Sequence, residues 1–309
     1  MACQRSWPSR LLLIDAGNTR LKYKLINALA VEELRDVQLT DGNYLRQQIV
    51  EKIVAVEPVY IANAELKAVN GGAGENSLAV DKLRELVADP GTLLLMSTVA
   101  QGAVMAVLKA WQAELQVIVE AAHVTQSALG VSMRYAHIAS LGVDRWLAMI
   151  AAYQKASAGL CVIDCGTAIT VDFLSSTGVH EGGLIAPGFT TCLTSLNLAD
   201  SLKSAVQAVA SHPHGATSGA GGVRHDGLGL SSAACIFHGV DRMTVAFLDS
   251  IFAQARRFEP AREIFITGGG WPALEYEPAV DYRYERDLVF EGLILSWVEG
   301  LTRPFLPQP

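Results

Sequence analysis

A segment near the start of the chain occurs a second time about half a chain later. The first copy is LLLIDAGNTRLKYKLI at 11–26, and the second is CVIDCGTAITVDFL at 161–174. In each copy an apolar run ends in Ile-Asp, a turn with glycine and threonine follows, and a second extended run begins. The pattern predicts a β-hairpin in each copy, and the duplication predicts a chain built from two related α/β halves.

The turn of the first hairpin has the composition of an anion-binding site. Gly17 allows a positive φ and a close approach of a ligand to the backbone. Asn18, Thr19 and the amides of the turn can donate hydrogen bonds to anionic oxygens. Asp15 at the strand end suits a hard divalent cation that arrives with the phosphates of a nucleotide. One copy alone would be better explained as an ordinary hairpin with an Asx-type turn, whereas two copies favour phosphate binding.

The composition is that of a folded protein without a nucleic-acid surface. The 309 residues are 50% hydrophobic, carry a formal net charge of −7 and contain no basic block. A chain of this length can form two domains with their own cores, and its acidic balance argues against nucleic-acid binding. The apolar runs are shorter than the roughly 18 residues of a membrane span, and the run after Arg10 is too short for a signal peptide. We therefore expect a cytoplasmic protein.

Three other groups of residues resemble sites but are better explained as structure. The glycines of 70–74 lack the lysine of a P-loop and the spacing of a dinucleotide fold. The five cysteines form no CxxC pair, so Cys161 and Cys165 are predicted to be buried thiols of a reduced compartment. The histidines of 211–229 lie in a stretch rich in glycine and serine, and we interpret them as loop residues, not metal ligands.

Strands alternate with helices around the two hairpins, as is typical of α/β domains. After the first hairpin the predicted elements are a helix at 44–56, a strand at 59–62, a helix at 77–88, a strand at 93–96, a helix at 101–114, a strand at 116–120 and a helix at 147–153. After the second hairpin they are a strand and turn at 182–188, a helix at 190–209, a strand at 263–267 and a helix at 288–301. We predict one domain at 10–150 and a second at 151–309.

An acidic residue precedes the apolar helix in the middle of the chain. Asp144 lies in the segment SLGVDRW at 140–146. A carboxylate at this position can cap a helix or stabilise its first turn. It can also act as a catalytic base, and the residue types alone leave both interpretations open.

Four motifs together resemble the type III pantothenate kinases, a family also called Bvg accessory factor, within the acetate and sugar kinase, Hsc70 and actin superfamily. They are DAGNTRLK at 15–22, GVDR at 142–145, DCGTAITVD at 164–172 and GGLIAPG at 182–188. The resemblance runs from residue 11 to the end of the chain. It implies two ribonuclease-H-like halves with a cleft between them, and transfer of the ATP γ-phosphoryl group to the primary hydroxyl of pantothenate.

The resemblance also assigns roles to single residues. It implies that Asp144 is the proton acceptor, that Asp15 holds Mg²⁺ through its waters, and that Asp164 binds a monovalent cation, K⁺ or NH₄⁺. The nucleotide-binding residues that it implies are Asp15, Ala16, Gly17, Asn18, Thr19, Arg20, Leu21, Lys22 and Thr167. The pantothenate-binding residues that it implies are Tyr135, Gly142, Val143, Asp144, Arg145 and Ser232.

Two of these positions depart from the pattern of the family. Val143 stands where the family usually has alanine, and Ser232, seven residues before Gly239, stands where the family has threonine. The resemblance further implies a homodimer, which the small residues of 190–209 would suit, and contact of the glycines 268–270 with the nucleoside. Two alternatives stay open, namely another small-molecule kinase of the superfamily and a non-catalytic nucleotide-binding protein.

Overall fold

A computed structural model describes residues 8–17, 20–26, 57–62, 78–89, 91–99, 103–211 and 227–305. The contacts divide the chain into two compact units. Unit 1 contains Met1–Lys155 and Asp287–Pro309, and unit 2 contains Ala156–Arg286. The predicted helix at 44–56 and the glycines of 70–74 lie outside the described residues, as do the histidines at 212, 214 and 225.

The described strands and α-helices alternate along most of the chain. The strands are β1 (Arg10–Ala16), β2 (Arg20–Ile26), β3 (Val59–Ala62), β4 (Thr92–Thr98), β5 (Ile118–Ala122), β6 (Ser127–Ala128), β7 (Val131–Ser132), β8 (Leu160–Cys165), β9 (Ala168–Leu174), β10 (His180–Pro187), β11 (Glu263–Thr267), β12 (Arg283–Tyr284) and β13 (Thr302–Pro304). The α-helices are α1 (Leu78–Ala88), α2 (Ala103–Leu115), α3 (Val143–Lys155), α4 (Phe189–Ser195), α5 (Lys203–Ser211), α6 (Ser232–Phe258) and α7 (Leu288–Val298).

The two main sheets have matching strand orders. In unit 1 the order is β3-β2-β1-β4-β5-β13, and in unit 2 it is β10-β9-β8-β11-β12, so the sheet of unit 1 has one further strand, β13. The three strands that begin with each hairpin, β1-β2-β3 and β8-β9-β10, pair antiparallel. On the other side of β1 and β8, the strands β4 and β5 in unit 1 and β11 and β12 in unit 2 run parallel to them. The prediction of two related α/β halves of ribonuclease-H-like type is confirmed, and the structure places a hairpin among the central strands of each half.

The central strand of unit 1 is covered on both faces. Leu12 and Ile14 of β1 pack in a core with Val107 and Trp111 of α2. The opposite face of the sheet is covered by α3 and α7, which contact each other as well as β4. This double cover explains why β1 is a continuous apolar run and not an alternating one.

The core of unit 2 lies between its sheet and the long helix α6. It contains Ile163 of β8, Val171 of β9 and Leu248 of α6. Cys161 and Cys165 are buried in the same core, as predicted. Burial raises the pKa of both thiols above the ordinary value, so both stay protonated at neutral pH.

Three helices differ from the sequence prediction. The predicted helix at 190–209 is broken: α4 ends at Ser195, two 3-10 turns cover 196–198 and 200–202, and α5 follows. The helix predicted at 147–153 begins earlier, at Val143, so that Asp144 lies in its first turn. The terminal helix α7 ends at Val298 and contacts β1 and β4, so the contacts group it with unit 1 and not with the half at 151–309.

Two buried ion pairs attach α7 to the rest of unit 1. The ammonium Nζ of Lys24 on β2 lies 2.8 Å from Oδ2 of Asp287, and neither side chain has more than 3% exposure. Lys155 at the end of α3 lies 2.8 Å from Oε2 of the fully buried Glu291. Breaking either pair would leave an uncompensated charge in the interior, which is strongly destabilising.

Within the part of the chain that the structure describes, we find no helix with the length and apolar composition that crossing a bilayer requires.

Candidate active site

The first hairpin places a buried carboxylate beside a lysine. Asp15, next to the end of β1, is 7% exposed and lies opposite Lys22 of β2 in the strand register. The Lys22 Nζ atom lies 3.4 Å from Asp15 Oδ2. The lysine is more accessible than the carboxylate, so it can also turn toward an anionic ligand at this end of the sheet.

The turn between β1 and β2 is closed by a backbone hydrogen bond. The amide of Gly17 donates to the carbonyl oxygen of Arg20 at 3.1 Å. The backbone of Gly17 lies outside the left-handed region, so the positive φ that glycine allows is not used here. A methyl group at this position would approach the Arg20 carbonyl oxygen to 3.3 Å, so the close contact itself favours glycine. Asn18 and Thr19 lie outside the described residues.

The other predicted nucleotide-binding residues of this hairpin differ in what they expose. Ala16 and Leu21 are fully buried, so only their backbones are placed to contact a ligand. Arg20 is exposed, and its guanidinium carbon lies 5.6 Å from the ring centre of Tyr60 on β3. Among the described residues of this hairpin, Arg20 and Lys22 carry the side chains that can bind an anion.

A second carboxylate lies in the first turn of α3. Burial raises the pKa of the Asp144 carboxyl above its ordinary value, and the charge of Asp15 raises it further. The backbone amide of Arg145 donates to Asp144 Oδ1 at 2.8 Å and partly offsets both effects. A carboxylate that is partly buried, close to a second carboxylate and shifted in pKa is a candidate general base.

Gly142 leaves the space that the Asp144 carboxylate occupies. Its carbonyl oxygen accepts the hydrogen bond of Trp146 N at 3.1 Å, which begins α3. A methyl group at Gly142 would collide with Asp144 Oδ1 and would lie 3.7 Å from Val99 Cγ1. Val99 is in turn fixed to the first hairpin, because its amide donates to the carbonyl oxygen of Ala16 at 3.1 Å. The GVDR motif and the DAGNTRLK motif therefore meet within unit 1.

The arginine of the GVDR motif is held by a tyrosine. Arg145 is 7% exposed, and its Nη1 atom donates to Tyr135 Oη at 3.2 Å. The guanidinium carbon also lies 5.8 Å from the ring centre of Tyr135. Val143 beside them is buried, so its side chain packs in the core and only its backbone is placed to contact a ligand. The structure thus brings together Tyr135 and Arg145, which are ten residues apart and which the resemblance assigns to pantothenate binding.

The second hairpin is one residue shorter than the first. The amide of Gly166 donates to the carbonyl oxygen of Ala168 at 3.0 Å. Asp164 faces Thr170 across this hairpin, whereas Asp15 faces Lys22 across the first. A hydroxyl group replaces an ammonium group, so Asp164 has no lysine in the facing position. This difference makes the second hairpin better suited to binding a cation. The first is better suited to binding an anionic phosphate group that carries its own metal ion.

The glycines after β11 pack against the second hairpin. Gly268 has a φ of +90°, and a side chain there would collide with Asp164 Oδ1 and with the Cys165 carbonyl oxygen. The amide of Gly270 donates to the same carbonyl oxygen at 2.8 Å. The missing side chain of Gly268 therefore allows two oxygen atoms, one from a carboxylate and one from a carbonyl group, to lie close to the backbone after β11.

The loop after β10 fixes the tip of the second hairpin. The amide of Gly188 donates to the carbonyl oxygen of Thr167 at 2.9 Å, and Thr191 Oγ1 donates to it at 2.5 Å. The carbonyl oxygen of Thr167 is thus occupied, and the residue is exposed. The last glycine of GGLIAPG and the threonine predicted to bind phosphate are in direct contact within unit 2.

A comparison with known families identifies the chain. The family model described as type III pantothenate kinase matches residues 11–252. The chain belongs to the type III pantothenate kinase family. The motifs that carry the resemblance all lie within the matched residues.

Two bacterial members of the type III pantothenate kinase family show how far the similarity extends. The protein of Hahella chejuensis is 46% identical over 160 residues, which are 52% of this chain and 59% of that protein. The aligned part of this chain therefore spans about three fifths of that relative. The protein of Nitrosomonas eutropha is 30% identical over 297 residues, which are 94% of this chain and 96% of that protein.

A solved structure is also similar to this chain, at lower identity. It is a Baf family protein from Campylobacter jejuni, 18% identical, with a TM-score of 0.44 over 94% of this chain and 98% of that one.

The family position for a substrate threonine falls on the first residue of α6. Ser232 is exposed there. The helix is capped by the preceding residue, because Ser231 Oγ accepts the hydrogen bond of Ala234 N at 3.2 Å. Ser232 is therefore not the N-cap of α6. The described residues give its side chain no hydrogen-bond partner.

The carboxylates of the site fit a metal that arrives with a nucleotide. Among the described residues there is no group of three or more His, Cys, Asp or Glu side chains that would enclose a metal ion. Mg²⁺ usually retains several waters and binds through one or two carboxylates plus the phosphates of its substrate. Asp15, with Asp144 nearby, meets that requirement.

Sequence analysis missed one polar residue beside Asp15. Ser97 at the end of β4 is in register with Asp15 on the neighbouring parallel strand. The available signal was the change from the apolar run 93–96 to Ser97 and Thr98, because ligands bind at the carboxyl ends of parallel strands.

Proposed function

We propose that this protein phosphorylates pantothenate with ATP to give 4′-phosphopantothenate and ADP. The observation that carries the proposal is the pair of Asp15 and Asp144, brought together at one end of the unit 1 sheet, with the pKa of Asp144 raised. Phosphoryl transfer requires positioning of the reactants, neutralisation of charge and a group that accepts the hydroxyl proton. Membership of the type III pantothenate kinase family supports the choice of acceptor.

The nucleotide side of the reaction is assigned to the two hairpins. Lys22 and the exposed Thr167 would contact the phosphates, together with Asn18 and Thr19, which lie outside the described residues. Asp15 would hold the Mg²⁺ of the nucleotide through water molecules. When bound, this ion neutralises charge on the phosphoryl group that is transferred.

The acceptor side is assigned to the segment that begins α3. Arg145 and Tyr135 would hold the carboxylate and polar groups of pantothenate through their shared, partly buried pair. Asp144 would accept the proton of the primary hydroxyl as that oxygen attacks the γ-phosphorus atom of ATP and the bond to the β,γ-bridging oxygen breaks. A raised pKa makes Asp144 a stronger base than an ordinary aspartate.

Asp164 is proposed to bind K⁺ or NH₄⁺. Its carboxylate and the carbonyl oxygen of Cys165 both lie close to Gly268, so two oxygen atoms are near each other here. A monovalent cation can be held by one carboxylate with carbonyl groups and water, whereas a divalent cation would need more carboxylates than this place offers. The bound ion would offset negative charge near the second hairpin.

The protein is further proposed to act as a homodimer. The family resemblance supports this assembly, and twofold dimers are the commonest closed oligomers. The exposed Leu184 and Ile185 on the edge strand β10 offer apolar surface to a partner. Light scattering at assay concentration should give twice the chain mass, and full activity of a monomer would contradict the proposal.

The activity is tested by product mass. Purified protein is incubated with ATP, Mg²⁺ and pantothenate in potassium buffer, and 4′-phosphopantothenate and ADP should form in equal amounts. A panel of other acceptor alcohols tests for a different small-molecule kinase, which would phosphorylate another alcohol in preference to pantothenate. The variant Asp144→Asn is the matched control, and product at the wild-type rate in that variant would contradict the assigned chemistry.

A further inference from the structure

A serine hydroxyl lies beside Asp15 on the same face of the unit 1 sheet. Ser97 on β4 pairs with Asp15 on β1 in parallel register. The adjacent residues Ile14 and Met96 point to the opposite face, where both join the core under α1 and α2. Because side chains alternate along a strand, Asp15 and Ser97 project together to the face covered by α3 and α7.

The Ser97 hydroxyl is buried and unpartnered. The residue has no exposed surface, and its Oγ atom makes no hydrogen bond to any described residue. Buried polar groups in native proteins nearly always have partners, and an exception calls for an explanation such as a bound ion or a catalytic role. The position at the carboxyl end of a parallel strand, next to a carboxylate assigned to a ligand, supplies such an explanation.

We propose that Ser97 is a positioning residue for Asp15. In the nucleotide-loaded protein its hydroxyl donates a hydrogen bond to the Asp15 carboxylate, which fixes the oxygen that faces the hydrated metal. One Asp15 oxygen, Oδ2, already faces Lys22 at 3.4 Å, and an ionised carboxylate has room for further donors. Outer partners of this kind orient metal-binding carboxylates and change metal affinity by about 10- to 100-fold when they are removed. The inference rests on the proposed function, in that Asp15 carries the metal of the nucleotide.

The structure offers a matched control on the same strand. Thr92 at the other end of β4 is also buried, and its Oγ1 atom also lacks a partner among the described residues. It pairs with Arg10, far from Asp15 along β1. Loss of the Thr92 hydroxyl therefore tests the general effect of removing a buried, unpartnered hydroxyl group from β4.

The experiment measures nucleotide binding by calorimetry in Ser97→Ala, Thr92→Val and the wild type. Each protein is titrated with a non-hydrolysable ATP analogue under two conditions, once in buffer that contains Mg²⁺ and once in buffer that contains EDTA. In Ser97→Ala the Mg²⁺-dependent part of the affinity should fall by about 10- to 100-fold, while affinity in EDTA and the melting temperature stay close to wild type. Thr92→Val should keep the wild-type response to Mg²⁺.

Equal Mg²⁺ responses in Ser97→Ala and the wild type would overturn the inference, even if the wild type phosphorylates pantothenate. A loss in both variants would also overturn it, because it would indicate a general packing effect in β4. The selective loss in Ser97→Ala would support it even if pantothenate proves not to be the acceptor, since the binding assay contains no acceptor. A wild type that binds the analogue without any Mg²⁺ dependence would contradict both this inference and the metal role of Asp15.

Discussion

The charge of Asp15, at the end of the first strand, raises the pKa of Asp144, in the first turn of α3. The two residues are far apart in sequence and are brought together because β1 and α3 belong to the same unit. Burial of Asp144 acts in the same direction and is the larger cause. The strength of the base is therefore tied to the charge at Asp15, so a ligand that changes the charge there also changes the pKa of Asp144.

Replacement of Asp144 by asparagine should reduce turnover by about 100- to 10,000-fold, the usual contribution of a general base. Binding of both substrates should be retained, because asparagine has nearly the same shape. Steady-state rates with separate nucleotide and pantothenate titrations measure both effects. Turnover close to wild type would exclude Asp144 as the proton acceptor.

The same substitution should make the protein more stable at neutral pH. The pKa of Asp144 is raised in the folded state, so the folded state binds its proton more tightly than the unfolded chain does. The stability that the protonated Asp144 carboxyl contributes is therefore fully present at a pH below its pKa in the unfolded chain. It is lost as the pH rises through its pKa in the folded state. The melting temperature of Asp144→Asn should exceed that of the wild type at pH 8, and the difference should shrink toward pH 4. A difference that is independent of pH would contradict this assignment.

Replacement of Gly142 by alanine should reduce turnover by about 100-fold, as expected when a catalytic group is displaced by about 1 Å. The added methyl group collides with Asp144 Oδ1 and forces the carboxylate to move. Gly239→Ala is the control, because a side chain there meets no atom within 4 Å. Alanine within the α6 helix should stabilise the protein slightly and leave the rate unchanged. Equal rates in the two variants would show that the position of the Asp144 carboxylate is not critical.

Replacement of Gly268 by alanine should abolish the response to K⁺ or NH₄⁺, as Asp164→Ala should. Both changes disturb the Asp164 carboxylate, the first by a methyl group that collides with its Oδ1 atom and the second by removing the carboxylate. Gly300→Ala is the control, since Gly300 has a φ of +71° and open space around it. Both alanines incur the left-handed backbone cost of about 1–2 kcal/mol, so the two variants differ in the collision with Asp164. Rates are compared in potassium and sodium buffers at matched ionic strength, and equal wild-type rates would refute the cation site.

Replacement of Tyr135 by phenylalanine should raise the KM for pantothenate by about tenfold. The variant keeps the ring beside Arg145 but loses the hydrogen bond from Nη1, a contact to a charged group that contributes about 1.5 kcal/mol. Tyr153→Phe, on the same helix as Arg145, serves as the control. An unchanged KM together with a lower kcat would reassign Tyr135 to the chemical step.

The strand-turn-strand repeats could be predicted because their signal is local. An apolar run, an aspartate and a small polar turn specify a hairpin without reference to the rest of the chain. The register of the paired strands could not be predicted in the same way, because one residue more or less in the turn changes which residue faces the aspartate. Lys22 faces Asp15 and Thr170 faces Asp164 for this reason. The repeats are therefore related in fold but differ in electrostatics.

Contacts between distant segments account for what the sequence did not predict. Helix α7 is apolar on all sides, so its periodicity does not indicate which core it joins, and its place in unit 1 depends on contacts with α3 and β1. Ser97 has no motif of its own and becomes notable only through its register with Asp15. The break after Ser195 lies in a stretch of small and polar residues, in which helix periodicity is weakly specified.

The buried pairs of Lys24 with Asp287 and of Lys155 with Glu291 have a consequence for synthesis on the ribosome. All of unit 2 is translated before α7, so its continuous chain can fold while unit 1 still lacks its last helix. Until α7 emerges, Lys24 and Lys155 lack the carboxylates that neutralise them in the finished protein. The half that begins the chain is therefore the half that is completed last, and a released chain that ends at Arg286 should expose unit 1 to proteases while unit 2 is already protected.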